Sequence, residues 1–234
     1  MVDRPTARLA RRELLTGAGA LSFAALLPGR AAAGPFRAGP ATLAAARPVL
    51  RSVCPLAVEQ VAGPYYLDLD LLKQDITEGK PGLPLTLIFQ VVDAATCAPR
   101  PGAVVDVWHD DALGVYSGFA DQGTLGQTFL RGIQVSNGDG LVFFQTIYPG
   151  WYPLRTAHIH VKVRPDETSE ATTQVYFDDA LSDAVYHLVA PYAQHGPKPT
   201  TNAADPYYTP AMKLAWMPNP NGSLSLWAGM ILGL

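Results

Sequence analysis

The sequence predicts an all-β protein, a two-sheet β-sandwich with long loops and little helix. Three observations predict it. Short apolar runs alternate with polar residues at period two. Turn-forming clusters separate those runs at short intervals, in a chain with 21 Gly and 21 Pro among 234 residues. Helical periodicity is confined to one modest stretch.

The first strand runs from Leu83 to Asp93, with Leu85, Leu87, Phe89 and Val91 on one face. Pro99-Arg100-Pro101-Gly102 then turns the chain into a second strand, Ala103 to Trp108, whose valines alternate with Asp106 and Trp108. Asn137-Gly138-Asp139-Gly140 precedes a strand over 140–148, and Pro149-Gly150 ends it. Ala157 to Val163 and Thr173 to Phe177 follow as strands, and Ser223 to Leu232 reads as the last one. Asp179 to Val189 is the only helix candidate. The Pro-rich stretch from Asp205 to Pro220 reads as an excursion packed on the surface.

The ends read differently from the middle. Arg11-Arg12-Glu13-Leu14-Leu15 is a twin-arginine pattern, followed by an apolar run from Leu14 to Leu27 and by Ala31-Ala32-Ala33, a small-residue cleavage site. Residues 1–33 are therefore expected to be a Tat-type export signal that delivers a periplasmic or extracellular protein. The run is too short for a stable membrane anchor. Residues 34–53, rich in Ala, Pro and Arg, read as a linker or flexible arm, and 54–234 as a single domain. The formal charge of the whole chain is −3, and five of its arginines lie in the first 33 residues, so the remainder is more acidic still. No basic run suggests nucleic acid. Cys54 and Cys97 are the only cysteines. In an exported protein a disulfide between them is the favoured expectation, with two buried thiols as the alternative.

The chemistry lies in two segments. His158 and His160 are two apart on a strand, so both imidazoles face one way and can share a cation. Alone, that pair also fits zinc or copper proteins. Upstream lie Arg155 and Tyr152. The second segment, Gly102 to Ser117, is a strand followed by the turn Asp110-Asp111-Ala112-Leu113-Gly114, which presents Tyr116.

Together these segments resemble the intradiol ring-cleavage dioxygenases, non-haem Fe(III) enzymes that open catechols between the two hydroxyl-bearing carbons. The pattern G-A-x-V-D-x-W-H-x-D-x-x-G-x-Y-S is matched from Gly102 to Ser117, and P-x-x-Y-x-x-R-x-x-H-x-H from Pro149 to His160. T-T-Q-x-Y-F is matched from Thr172 to Phe177, Gly63-Pro64-Tyr65-Tyr66 looks like the family's G-P-Y-Y, and Asn202 to Asp205 looks like its N-x-x-D. The resemblance spans about Cys54 to Asp205.

It implies a two-sheet sandwich with Fe(III) held by Tyr116, Tyr152, His158 and His160. Tyr152 would be the labile axial ligand and internal base, opposite His160. Arg155 and Gln174 would assist at the substrate, a catechol, substituted catechol or hydroxyquinol that O2 opens to a cis,cis-muconate-type product. Tyr148 is expected to pack near the site, His109 to hydrogen-bond structurally, and His187 and His195 to be surface or loop residues. Trp151 and Tyr65 either wall the pocket or belong to the core. The short N-terminal region lacks the long helical dimerisation segment of the catechol-cleaving branch, and the oligomeric state stays open. The alternative reading is a transthyretin-like β-sandwich that binds without catalysis. The survival of all four ligands with Arg155 and Gln174 argues against it.

Overall fold

The computed structural model describes residues 44, 47–50, 54 and 56–234. The export signal, and all of the 34–53 arm except residues 44 and 47–50, lie outside them. Eight strands form two four-stranded sheets. They are β1 (Pro84–Val92), β2 (Val104–Trp108), β3 (Arg131–Val135), β4 (Leu141–Ile147), β5 (His158–Arg164), β6 (Ala171–Tyr176), β7 (Ala215–Pro218) and β8 (Leu226–Gly233). One sheet runs β4-β1-β8-β7, with β1 and β8 parallel. The other runs β3-β2-β5-β6 and is antiparallel throughout. After β6 come two α-helices, α1 (Asp179–Leu188) and the short α2 (Tyr192–His195).

Alternation decides which face of each strand is apolar. Leu85, Leu87, Phe89 and Val91 of β1 join the inter-sheet core with Val105, Val107, Ile159, Val161 and Val163. The intervening residues of the second sheet, among them Asp106, Trp108, His158, His160 and Gln174, therefore lie on its outer face. Burying their polar groups requires a cover. The segment 56–76 supplies it and is fastened to three sheet edges. Gln60 N donates to Thr172 O (2.7 Å) at β6. Ile133 N donates to Leu71 O (2.8 Å) at β3, and Ile76 N to Gln145 O (2.9 Å) at β4. Such pairing also hides strand edges. Cys54, which precedes this segment, forms a disulfide with Cys97 of the β1–β2 turn.

Two strands escape sequence pattern. β3 reads Arg-Gly-Ile-Gln-Val, with too few strand-forming residues to register. β7 lies within the supposed surface excursion 205–220 and pairs with β8 through Ala215↔Gly229 and Trp216↔Ala228. That excursion is thus partly sheet, and Asp205 at its start is buried. Among the described residues no helix is long and apolar enough to cross a membrane.

Candidate metal centre

Register across the second sheet assembles the floor of the site. Trp108 pairs with Arg131 on one side and with His160 on the other, and His160 pairs with Gln174. Directly opposed residues share a face, so Arg131, Trp108, His160 and Gln174 form one row over four strands. The Trp108 ring stacks on His160 with centroids 4.9 Å apart and planes 9° apart. His158, two residues earlier, stands beside this row.

Two turns bring in the tyrosines. Asp111 closes the first, its Oδ1 accepting from Leu113 N (2.9 Å) and Val115 N (3.1 Å). Its carbonyl also accepts from Gly150 N in the second turn, at 3.1 Å. A Cβ on Gly150 would run into the Asp111 carbonyl, and one on Gly114 into the Trp151 carbonyl. Glycine at both positions lets the turns press together, which sets the Tyr116 and Tyr152 rings edge to face at 5.8 Å. Leu154, between Tyr152 and Arg155, adopts φ 73°, a left-handed conformation that a branched side chain disfavours. The Tyr65 ring stacks on Tyr116 at 4.3 Å and meets Tyr152 edge to face at 6.2 Å, closing the site from above.

Three donor atoms meet in this enclosure, and the Tyr116 ring stands beside them, its centroid 5.8 Å from that of Tyr152 and 6.4 Å from that of His160. Tyr152 OH lies 3.1 Å from His158 Nε2, which lies 3.2 Å from His160 Nε2. Metal–ligand bonds of about 2 Å place neighbouring ligand atoms roughly 3 Å apart, so this spacing fits a shared cation. The Tyr116 hydroxyl is buried, in a residue only 1 % exposed, with no hydrogen bond of good geometry and with the Tyr152 phenol as its polar neighbour. Such an orphan is costly unless something binds it. Among the described residues no three His, Cys, Asp or Glu side chains gather to hold an ion. A metal here has to draw on the phenols, which suits a hard trivalent ion better than zinc.

Protonation follows from burial. Desolvation pulls the His158 imidazole down to about 3, with the Arg155 charge adding to the effect. Desolvation also drives His160 well below its usual range, helped by His158. Both rings are therefore neutral at pH 7, the form in which an imidazole can bind a metal ion. His158 Nδ1 donates to Thr156 O at 2.7 Å, which leaves Nε2 as the acceptor. Burial raises Tyr152 to about 12 against the pull of Arg155, and raises Tyr116 well above 10.

Arg155 is held from several sides. Its Nε donates to Asp205 Oδ2 (2.9 Å), an Nη donates to Gln174 Oε1, and the guanidinium lies 4.7 Å from the Tyr207 ring centroid. Its other Nη reaches toward Tyr152 OH at 3.4 Å. Gln174 Nε2 in turn donates to Val61 O at 3.1 Å. All six residues singled out in the sequence thus meet in one place.

A family model described as Dioxygenase matches residues 61–195, more than half of the chain. The chain belongs to the intradiol ring-cleavage dioxygenase family. An intradiol ring-cleavage dioxygenase from Tetranychus urticae is 33% identical, with a TM-score of 0.70; the match covers 77% of this chain and 94% of that one. The dioxygenase domain of a carbohydrate-binding fusion protein from a cellulolytic Streptomyces is 26% identical, with a TM-score of 0.59, covering 77% of this chain and 98% of that one. A chlorocatechol 1,2-dioxygenase from Pseudomonas putida is 31% identical over 157 residues, 56% of this chain and 58% of that protein. The chain spans 39% to 58% of the length of the first curated relatives it matches.

The other residues weighed in the sequence find mostly structural work. His109 is fully buried, with Nδ1 2.7 Å from Asp110 O and Nε2 2.7 Å from Thr146 Oγ1. Tyr148 packs on Phe177 and bonds Ser182 Oγ at 2.8 Å, away from the donor cluster. His187 is exposed on α1, whereas His195 is half-buried, with its ring centroid 4.1 Å from that of Trp151. Tyr65 walls the site, whereas Trp151 packs on His195 and its Nε1 donates to Gly196 O at 3.1 Å. Sequence reasoning missed Arg131 and the holding role of Asp205, since both depend on register and long-range contact.

Proposed function

We propose that this protein is an Fe(III)-dependent intradiol dioxygenase that opens a catechol-type diol (catechol, substituted catechol or hydroxyquinol) with O2 to a cis,cis-muconate-type product. The observation that carries this reading is the meeting of Tyr152 OH and two imidazole Nε2 atoms, 3.1 and 3.2 Å apart in sequence, beside the orphaned hydroxyl of Tyr116. Tyr116, Tyr152, His158 and His160 would hold the ion. Ferric iron bound there would supply a Lewis acid that chelates the diol and draws electron density from its ring.

The chain's own residues would do the rest. Tyr152 is the more exposed of the two tyrosines. That supports it as the ligand that yields its place to substrate and accepts a diol proton on its phenolate oxygen. Arg155, whose Nη is 3.4 Å from that oxygen, would steady the phenolate and then the negative charge that builds on the ring. Gln174 fixes the guanidinium from the far side. Tyr65 and the segment around it limit water at the site. We also propose export by the twin-arginine route, on the Arg11-Arg12 pair and the apolar run that follows.

The test is oxygen uptake by the iron-loaded protein over a panel of catechols, with product identification. Stoichiometric O2 consumption and a ring-opened dicarboxylate are expected. Ring opening outside the diol, or no turnover of any diol by iron-replete protein, would overturn the reading.

A further inference from the structure

We infer that Arg131 is a second guanidinium of this site: it fixes Tyr116 through Ser117 and holds a positive charge at the residue next to the phenol-bearing one. The inference rests on the reading of Tyr116 as a metal ligand. Arg131 is 3 % exposed, on β3, in the row that continues through Trp108 to His160. Its Nε donates to Ser117 Oγ at 2.9 Å and one Nη to Ser117 O at 2.8 Å. Ser117 Oγ donates onward to Phe129 O at 2.7 Å, and Thr124 Oγ1 donates to Tyr116 O at 2.6 Å. The backbone on either side of the Tyr116–Ser117 peptide is therefore gripped, and a planar fork grips it more rigidly than an ammonium could.

The other Nη of Arg131 is buried and has no partner. Among the described residues no carboxylate lies within ion-pair distance of it. A buried guanidinium without a counter-ion is expensive, and desolvation lowers Arg131 to about 10, with Tyr116 and then Asp106 pulling the other way. The Tyr116 hydroxyl is likewise a buried orphan. Neither this Nη nor the hydroxyl has a hydrogen-bond partner of its own, and the guanidinium is fixed on the residue that follows Tyr116. Two phenolates favour the ferric state, and a fixed cation held at the residue next to one of them offsets part of that bias. The Arg131 charge therefore sets how strongly the site holds iron oxidised.

The test uses full-length, iron-loaded protein without substrate and reads the Fe(III)/Fe(II) potential and the tyrosinate-to-iron absorption band. Arg131→Met, which keeps the stem and loses the charge, is expected to shift the equilibrium about tenfold toward ferric, about 59 mV more negative. Arg131→Lys keeps the charge and loses the fork; it is expected to hold the potential near wild type while moving the band. Should Arg131→Met fail to fold, Ser117→Ala removes only the hydroxyl from the grip and is expected to move the band. Variants with wild-type potential and band, or Lys and Met shifting the potential equally, overturn the inference alone. A wild type that binds iron without any tyrosinate band overturns the functional reading, and this inference with it.

Discussion

Asp205 holds Arg155 from fifty residues away. Its Oδ2 accepts from Arg155 Nε at 2.9 Å and from the backbone N of Thr156 at 2.8 Å. Asn202, three residues earlier, accepts from Thr156 Oγ1 at 2.7 Å. The Thr156 carbonyl is the acceptor that orients His158. One turn of chain beyond the region matched by the family model thus aims both the guanidinium and an imidazole.

Asp205→Asn is therefore expected to leave the tyrosinate band in place, because no ligand atom is removed. Turnover should fall by about 10- to 100-fold through a misaimed Arg155. Asp205→Ala, which leaves a nearly buried guanidinium unpaired, should also cost stability on the order of 3 kcal/mol. Steady-state kinetics, visible spectra and denaturant melts of the two variants check this. Wild-type turnover in Asp205→Asn would refute the positioning role.

The two tyrosines of the Tyr148–Tyr152 stretch separate cleanly. Tyr152→Phe removes a phenol from the donor cluster and is expected to bleach or shift the colour and to lower turnover by about 10²–10⁴-fold, as loss of a base does. Tyr148→Phe removes only the bond to Ser182. It should cost about 1 kcal/mol of stability and leave the band unchanged. Side-by-side spectra and turnover decide; bleaching by Tyr148→Phe with colour kept in Tyr152→Phe would reverse the assignment.

The sandwich was legible because its inward residues alternate over long runs, as Leu85 to Val91 do. The candidate donors were legible because His158 and His160 sit on one strand and each tyrosine follows a glycine-bearing turn. What joins them was not. That Gly114 and Gly150 press two turns together, that segment 56–76 roofs the outer face, and that Arg131 lines up with Trp108 are consequences of register and tertiary packing. Local pattern carries neither. β3 shows the cost: with Arg131 and Gly132 in its first two places it has no strand signature, so its arginine had no face to be assigned to.

Export makes an independent prediction about the first residues. Arg11→Lys together with Arg12→Lys keeps the charge but removes the guanidinium pair, and should leave precursor in the cytoplasm. The wild-type mature N-terminus is expected near Gly34. Fractionation and N-terminal sequencing check both, and normal Tat-dependent export of the Lys-Lys protein would refute the signal.

Metal binding should depend steeply on pH, with a sign fixed by the site. The two imidazoles are neutral across pH 6–8, since burial holds His158 at about 3 and His160 well below its usual range. They release no protons when an ion binds. The phenols are protonated throughout that range, with Tyr152 at about 12 and Tyr116 well above 10. A ferric ion held by both must displace two protons. By mass action its apparent affinity, corrected for hydrolysis of the ion and for the competing chelator, rises with pH by about a hundredfold per unit. Tyr152→Phe removes one of the two displaced protons, so its affinity should rise only about tenfold per unit. Competition titrations at several pH values read both slopes. A wild-type slope equal to that of Tyr152→Phe would mean that Tyr152 does not enter the metal site as a phenolate.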